Sequence, residues 1–188
     1  LTASLCVAGG LCKQWLDKQG IRIAAHIVAI GNVVDEGSFV DWVDPQLDII
    51  NQDFPVINPQ TAEKMKEAII EAKREGDSIG GIIECIATGL PAGLGDPMFD
   101  GMESRLAQII YGIPAAKGLE FGTGFRCAGL FGSEANDTFS IEDGTVRTVT
   151  NHCGGIQGGI TNGMPVVFSV AIKPTPSISR PQQTVNLQ

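Results

Sequence analysis

Positive charge, histidine and paired cysteines are all scarce in this 188-residue chain. Thirteen lysines and arginines face 21 aspartates and glutamates, a formal net charge of -8. That balance excludes a general nucleic-acid or anionic-membrane surface, because such partners need a basic face, whereas an anionic small molecule needs only a local positive site. Two histidines, His26 and His152, and five scattered cysteines, Cys6, Cys12, Cys85, Cys127 and Cys153, include no Cys-x-x-Cys pair. The usual spacings of structural zinc are therefore missing, and free thiols of a reducing compartment are expected. No glycine precedes Lys-Ser or Lys-Thr, so the phosphate loop of ATPases is absent, and no Gly-x-Ser-x-Gly elbow offers a hydrolase nucleophile. No apolar run approaches the roughly 20 residues needed to cross a bilayer, and no basic-then-apolar leader opens the chain, so a soluble cytoplasmic protein is expected. The chain starts at Leu1 rather than methionine, already in the middle of a helical pattern without a cap, and reads as a piece of a longer protein.

Glycine is abundant: 24 residues, nearly twice the usual share of about 7%. Between the glycines the periodicities alternate between helix and strand. Residues 1–19 carry Leu1, Leu5, Ala8, Leu11, Cys12, Trp15 and Leu16 at spacings of three and four, which predicts a helix with one buried face, stopped by Gly20. Residues 21–34 are rich in branched side chains and predict one long strand, with His26 inside it as a satisfied core or edge residue. Residues 35–59 read as an irregular connection with a short helical turn. Thr61 is placed to cap a helix over 62–75, whose apolar stripe is Met65, Ala68, Ile69 and Ala72 and whose Lys and Glu residues pair four apart. Strands follow at 82–87 and 119–121. Between them lie a long turn and a helix over 101–111 with Asp100 as its cap. Residues 130–143 read as a surface loop, 145–150 as a short strand, 164–172 as the clearest buried strand, and 179–188 as patternless.

Chemistry concentrates in one stretch, NHCGGIQGGITNG at 151–163. Its glycines remove side chains where backbone bends sharply or approaches a ligand, and on composition alone a turn joining two strands is the simpler account. Gly155-Ile156-Gln157-Gly158 matches an RNA-binding Gly-x-x-Gly loop, which the net charge opposes. Gly122-Thr123-Gly124 lacks the third glycine of a dinucleotide fingerprint. Asp77, Glu84 and Asp96 could supply acid or base groups, but carboxylates near turns are usually caps.

Four blocks in order tip the balance. GDSIGG at 76–81, GLPAGLGDPMFD at 89–100, IPAAKGLEFGTGF at 113–125, and the 151–163 stretch with KPTPS at 173–177 closely resemble the chorismate synthase family. The resemblance implies an α+β fold, a β-α-β sandwich of which residues 1–188 are the central part of a single domain, assembled as a homotetramer with reduced FMN. The implied reaction is anti-1,4-elimination of phosphate from 5-enolpyruvylshikimate 3-phosphate to give chorismate, with no nucleic-acid or membrane partner; NADP is also associated with the family. Carried over by position, the implied FMN contacts are Pro114, Ala115, Gly158, Lys173, Pro174, Thr175, Pro176 and Ser177. The family's Phe-Asp-Lys-Leu-Asp is here Phe99-Asp100-Gly101-Met102-Glu103. Its catalytic histidines and substrate-gripping arginines fall outside residues 1–188, so no catalytic residue is assigned and this piece alone is expected to be inactive. A non-catalytic assembly scaffold of the same fold and a flavin-dependent reductase are the alternatives.

Overall fold

The computed structural model describes residues 2–41 and 47–186. In chain order the helices are α1 (Thr2–Asp17), α2 (Pro59–Arg74), α3 (Met102–Ile110) and α4 (Gly132–Ala135). The strands are β1 (Arg22–Ile30), β2 (Val33–Val34), β3 (Gly81–Thr88), β4 (Ala116–Phe121), β5 (Phe139–Glu142), β6 (Thr145–Thr148), β7 (Ile156–Gln157), β8 (Ile160–Thr161) and β9 (Val166–Ile172). Five of them form an antiparallel sheet in the order β2-β1-β3-β9-β4, while β5-β6 and β7-β8 are separate ribbons. The α+β architecture is the expected one.

The most apolar strand, β9, lies between the central strand β3 and the edge strand β4. On β9, Val167 joins Ala24, Phe39, Val40, Ile49 and Ile86 in one cluster, and Val170 joins Ile110 and Ala116 in another. Val167 and Val170 are three residues apart and so face opposite sides of the sheet, which is why this strand reads as a continuous apolar run rather than an alternation. A third cluster packs Met65 and Ala62 of α2 with Val56, Ile27, Ile30 and Val33. Each large side chain buried there contributes roughly 1.5–3 kcal/mol.

Several expectations change. The strand at 21–34 is two strands, because Gly31 takes a left-handed φ of 55° and folds β2 back on β1. The cap of α2 is Asn58, whose side chain accepts the Gln60 amide with Pro59 following, so Thr61 lies inside the helix. The ion pairs of α2 are three apart, Lys66–Glu63 and Arg74–Glu71. Asp100 belongs to a 3₁₀ turn, and Gly101 precedes α3 without a side-chain cap. The strand at 119–121 starts earlier, at Ala116, which pairs with Ile172. The 35–59 connection holds two 3₁₀ turns, Phe39–Asp41 and Leu47–Asn51, and its residues 42–46 lie outside the described residues. The 130–143 loop is instead α4 and β5, the latter paired with β6. Helix α1 exists as expected, but it buries no residue.

Candidate functional site

The glycine-rich stretch resolves into the β7-β8 ribbon, whose two-residue connection is Gly158 (φ 61°) and Gly159 (φ 86°). Two successive left-handed residues are the signature of the hairpin turn that matches strand twist, and side chains are costly there. A Cβ on Gly159 would lie 2.4 Å from the Asp96 carbonyl oxygen, whereas one on Gly158 would meet no described residue within 4 Å. The ribbon tip is thus locked on one side and open on the other. The Met102 amide donates to the Gly159 carbonyl at 2.8 Å, so the tip rests where α3 begins.

The second locus lies beyond the far end of α3. Pro114 and Ala115 lead into β4, and the Lys173 amide donates to the Ala115 carbonyl at 3.0 Å. Ala115 holds a left-handed φ of 70°. The segment from Lys173 is fastened to the 76–80 loop, where Ser78 Oγ donates to the Thr175 carbonyl at 2.6 Å, and to its own continuation, where Gln182 Nε2 donates to the Pro176 carbonyl at 3.0 Å. Arg180 pairs with Asp77 at 3.0 Å, and the Ser78 amide and this guanidinium hold the Asp77 carboxyl below its usual value. With the carbonyls committed, the hydroxyls of Thr175 and Ser177 stay uncommitted among the described residues, and the exposed Lys173 ammonium makes no ion pair among them. A free cation beside two hydroxyl donors suits a phosphate or an anionic ring.

The structure therefore joins Ala115 to Lys173, with Pro114 and residues 174–177 adjoining them along the chain. Gly158 stands apart, separated by the nine residues of α3, a span of about 13 Å.

Two buried carboxylates went unrecognised as organising groups. Glu84, on β3, accepts hydrogen bonds from His26 Nε2 at 2.9 Å, Ser38 Oγ at 2.7 Å and the Phe39 amide. His26 is fully buried with the Phe39 ring edge-on at 4.5 Å, and among the described residues its Nδ1 has no hydrogen-bond partner. An acid in the middle of an apolar strand, opposite a histidine on the next, was the available signal. Asp137 accepts from Thr150 Oγ1 at 2.7 Å and from the amides of His152 at 2.7 Å and Cys153 at 2.9 Å. Burial pushes its carboxyl up, but those donors outweigh it and hold the group below its ordinary value. The other acid candidates are structural: Asp96 lies 3.8 Å from Arg105, and Asp77 serves the clamp above. All five cysteines are free, and burial pushes the Cys85 thiol up to about 11. No group of three or more potential metal ligands is found among the described residues, and among them no helix is long and apolar enough to cross a membrane.

A five-stranded antiparallel sheet covered by helices, with two small β-ribbons beside it, defines an α+β protein. Within that class its sequence is specific: the chorismate synthase family model matches residues 1–188, and the chain belongs to that family. A chorismate synthase of Pyrococcus abyssi is 46% identical over 189 residues, covering all of this chain and 51% of the relative. One of Lancefieldella parvula is 43% identical over 200 residues, covering all of this chain and 53% of the relative. A crystal structure of chorismate synthase superposes with a TM-score of 0.82 at 35% identity, over 90% of this chain and 54% of that one. The chain thus spans about half the length of the curated relatives it matches.

Proposed function

We propose that this chain is the central part of a single chorismate synthase domain and supplies part of a site for reduced FMN. With the segments that relatives carry on either side, it would eliminate phosphate from 5-enolpyruvylshikimate 3-phosphate to give chorismate, as a cytoplasmic homotetramer. The observation that carries the reading is the bond from the Lys173 amide to the Ala115 carbonyl, which joins two candidate cofactor segments more than fifty residues apart in sequence into one rim. When bound, reduced flavin supplies electron density to the substrate as phosphate leaves. The residues of this chain bind and orient: Lys173 offers the positive charge, Thr175 and Ser177 the hydroxyl donors, and Gly158 an approach free of a side chain. His26 is sealed in the core and is given no role toward the substrate.

Two measurements test this. A chain extended by the flanking segments of its relatives, given reduced FMN and the enolpyruvyl substrate, should release phosphate and form chorismate without net consumption of reductant; no release overturns the proposal, and stoichiometric consumption points to the reductase. Lys173→Ala should weaken FMN binding by about 1–3 kcal/mol, the scale of a lost charge-assisted hydrogen bond. Unchanged affinity in a fluorescence titration would remove Lys173 from the site.

A further inference from the structure

Fourteen glycines among the described residues adopt left-handed backbone, and only three other residues do: Met98 (φ 64°), Ala115 (φ 70°) and Asp143 (φ 50°). Asp143 has an ordinary explanation, since it occupies the Asp-Gly turn of the β5-β6 ribbon, where a short polar side chain tolerates that region. Ala115 and Met98 carry no such side chain, and glycine at either position would adopt the same backbone without the steric cost. Non-glycine residues held in this region persist where the surroundings over-determine them, and they cluster at ligand sites. Ala115 already lies in the candidate rim.

Met98 occupies the matching place at the other end of α3. It lies in the 95–102 segment that wraps the tip of the β7-β8 ribbon: Gly95 bridges Ile160, the Asp96 carbonyl crowds Gly159, and Met102 bonds its carbonyl. The strain does not serve the core, because Met98 is 78% exposed and the adjoining Phe99 87%. The segment that wraps the ribbon tip therefore carries an exposed thioether and an exposed aromatic ring, at the tip where Gly158 has no side chain. We infer that Met98 is a binding residue for the flavin, its turn strained so as to present the thioether as an apolar, polarisable contact for the planar ring, with Gly158 left bare to admit it. Sulfur packs favourably against aromatic systems, and a long unbranched side chain adapts to a flat face.

The inference rests on the flavin reading above, and a single set of titrations separates the two. FMN binding to the chain extended by the flanking segments of its relatives is followed by flavin fluorescence, and thermal unfolding is measured on the 188-residue chain, with Met98→Gly, Met98→Leu and Asp143→Gly introduced into both. Met98→Gly should raise the melting temperature by about 2–4 °C, the effect of roughly 1 kcal/mol in a chain of this size, while raising the FMN dissociation constant five- to tenfold. Met98→Leu, which keeps an apolar side chain of similar volume, should bind within about twofold of the parent. Asp143→Gly, at a turn that tolerates its side chain, should change stability less than Met98→Gly, with no change in binding. A parent chain that binds FMN and a Met98→Gly variant that binds it equally well overturn the role of Met98 alone. A parent chain that does not bind FMN overturns the flavin reading and this inference with it.

Discussion

At the scale of single residues, the buried acids decide how polar loops are held. Asp137 is almost fully buried at the base of the β5-β6 ribbon and satisfies two amides and one hydroxyl of the 150–153 segment, so it ties that ribbon to the start of the glycine-rich stretch. Its folded-state pKa is depressed. The stabilisation it gives is therefore complete above the unfolded value, near pH 4, and is lost as pH falls through the folded value. Urea unfolding between pH 6 and pH 3 should show stability dropping in the acid range. Asp137→Asn should cost about 2–3 kcal/mol at pH 6, because buried donors lose their charged acceptor, and should flatten the acid slope. An unchanged slope would mean that another carboxylate governs it. Neither Asp137 nor the Glu84–His26 pair was legible as a network, since sequence spacing shows which residues share a strand face but not which loop will fold over them.

At the scale of elements, local chemistry proved readable where it was complete and misleading where two signals competed. Both Asn58 and Thr61 are good caps by residue type; the proline after Asn58 fixes the first helical turn and settles the choice. Asn58→Ala should lower stability by about 1 kcal/mol, while Thr61→Ala, inside the helix, should stay within about 0.5 kcal/mol. Equal effects in thermal melts would refute the observed start of α2. The β5-β6 ribbon was hidden by its polar setting, although Asp143-Gly144 between Ile141 and Val146 carries a hairpin signal. In 21–34 the branched residues outweighed Gly31, the residue that turns the chain.

At the scale of the whole molecule, α1 shows the limit of pattern reading. Its spacing is that of an amphipathic helix, yet Leu5, Val7, Leu11 and Trp15 are each more than half exposed, since periodicity identifies an apolar face without naming what covers it. Sixteen helical residues that bury none of their side chains fully are marginal in water. Amide exchange across α1 should accordingly be much faster than across β3 and β9, by a hundredfold or more, because its opening costs little beside global unfolding; equal protection would show that α1 is held by contacts absent from the structure. The placement of β9 acts in another dimension, time. The strand latest in sequence is inserted between β3 and β4, so during vectorial synthesis both neighbours keep an unpaired edge until residue 172 has left the ribosome. The sheet is closed by its final and least local pairing, and through that interval β3 and β4 carry the open edges that invite pairing with another chain.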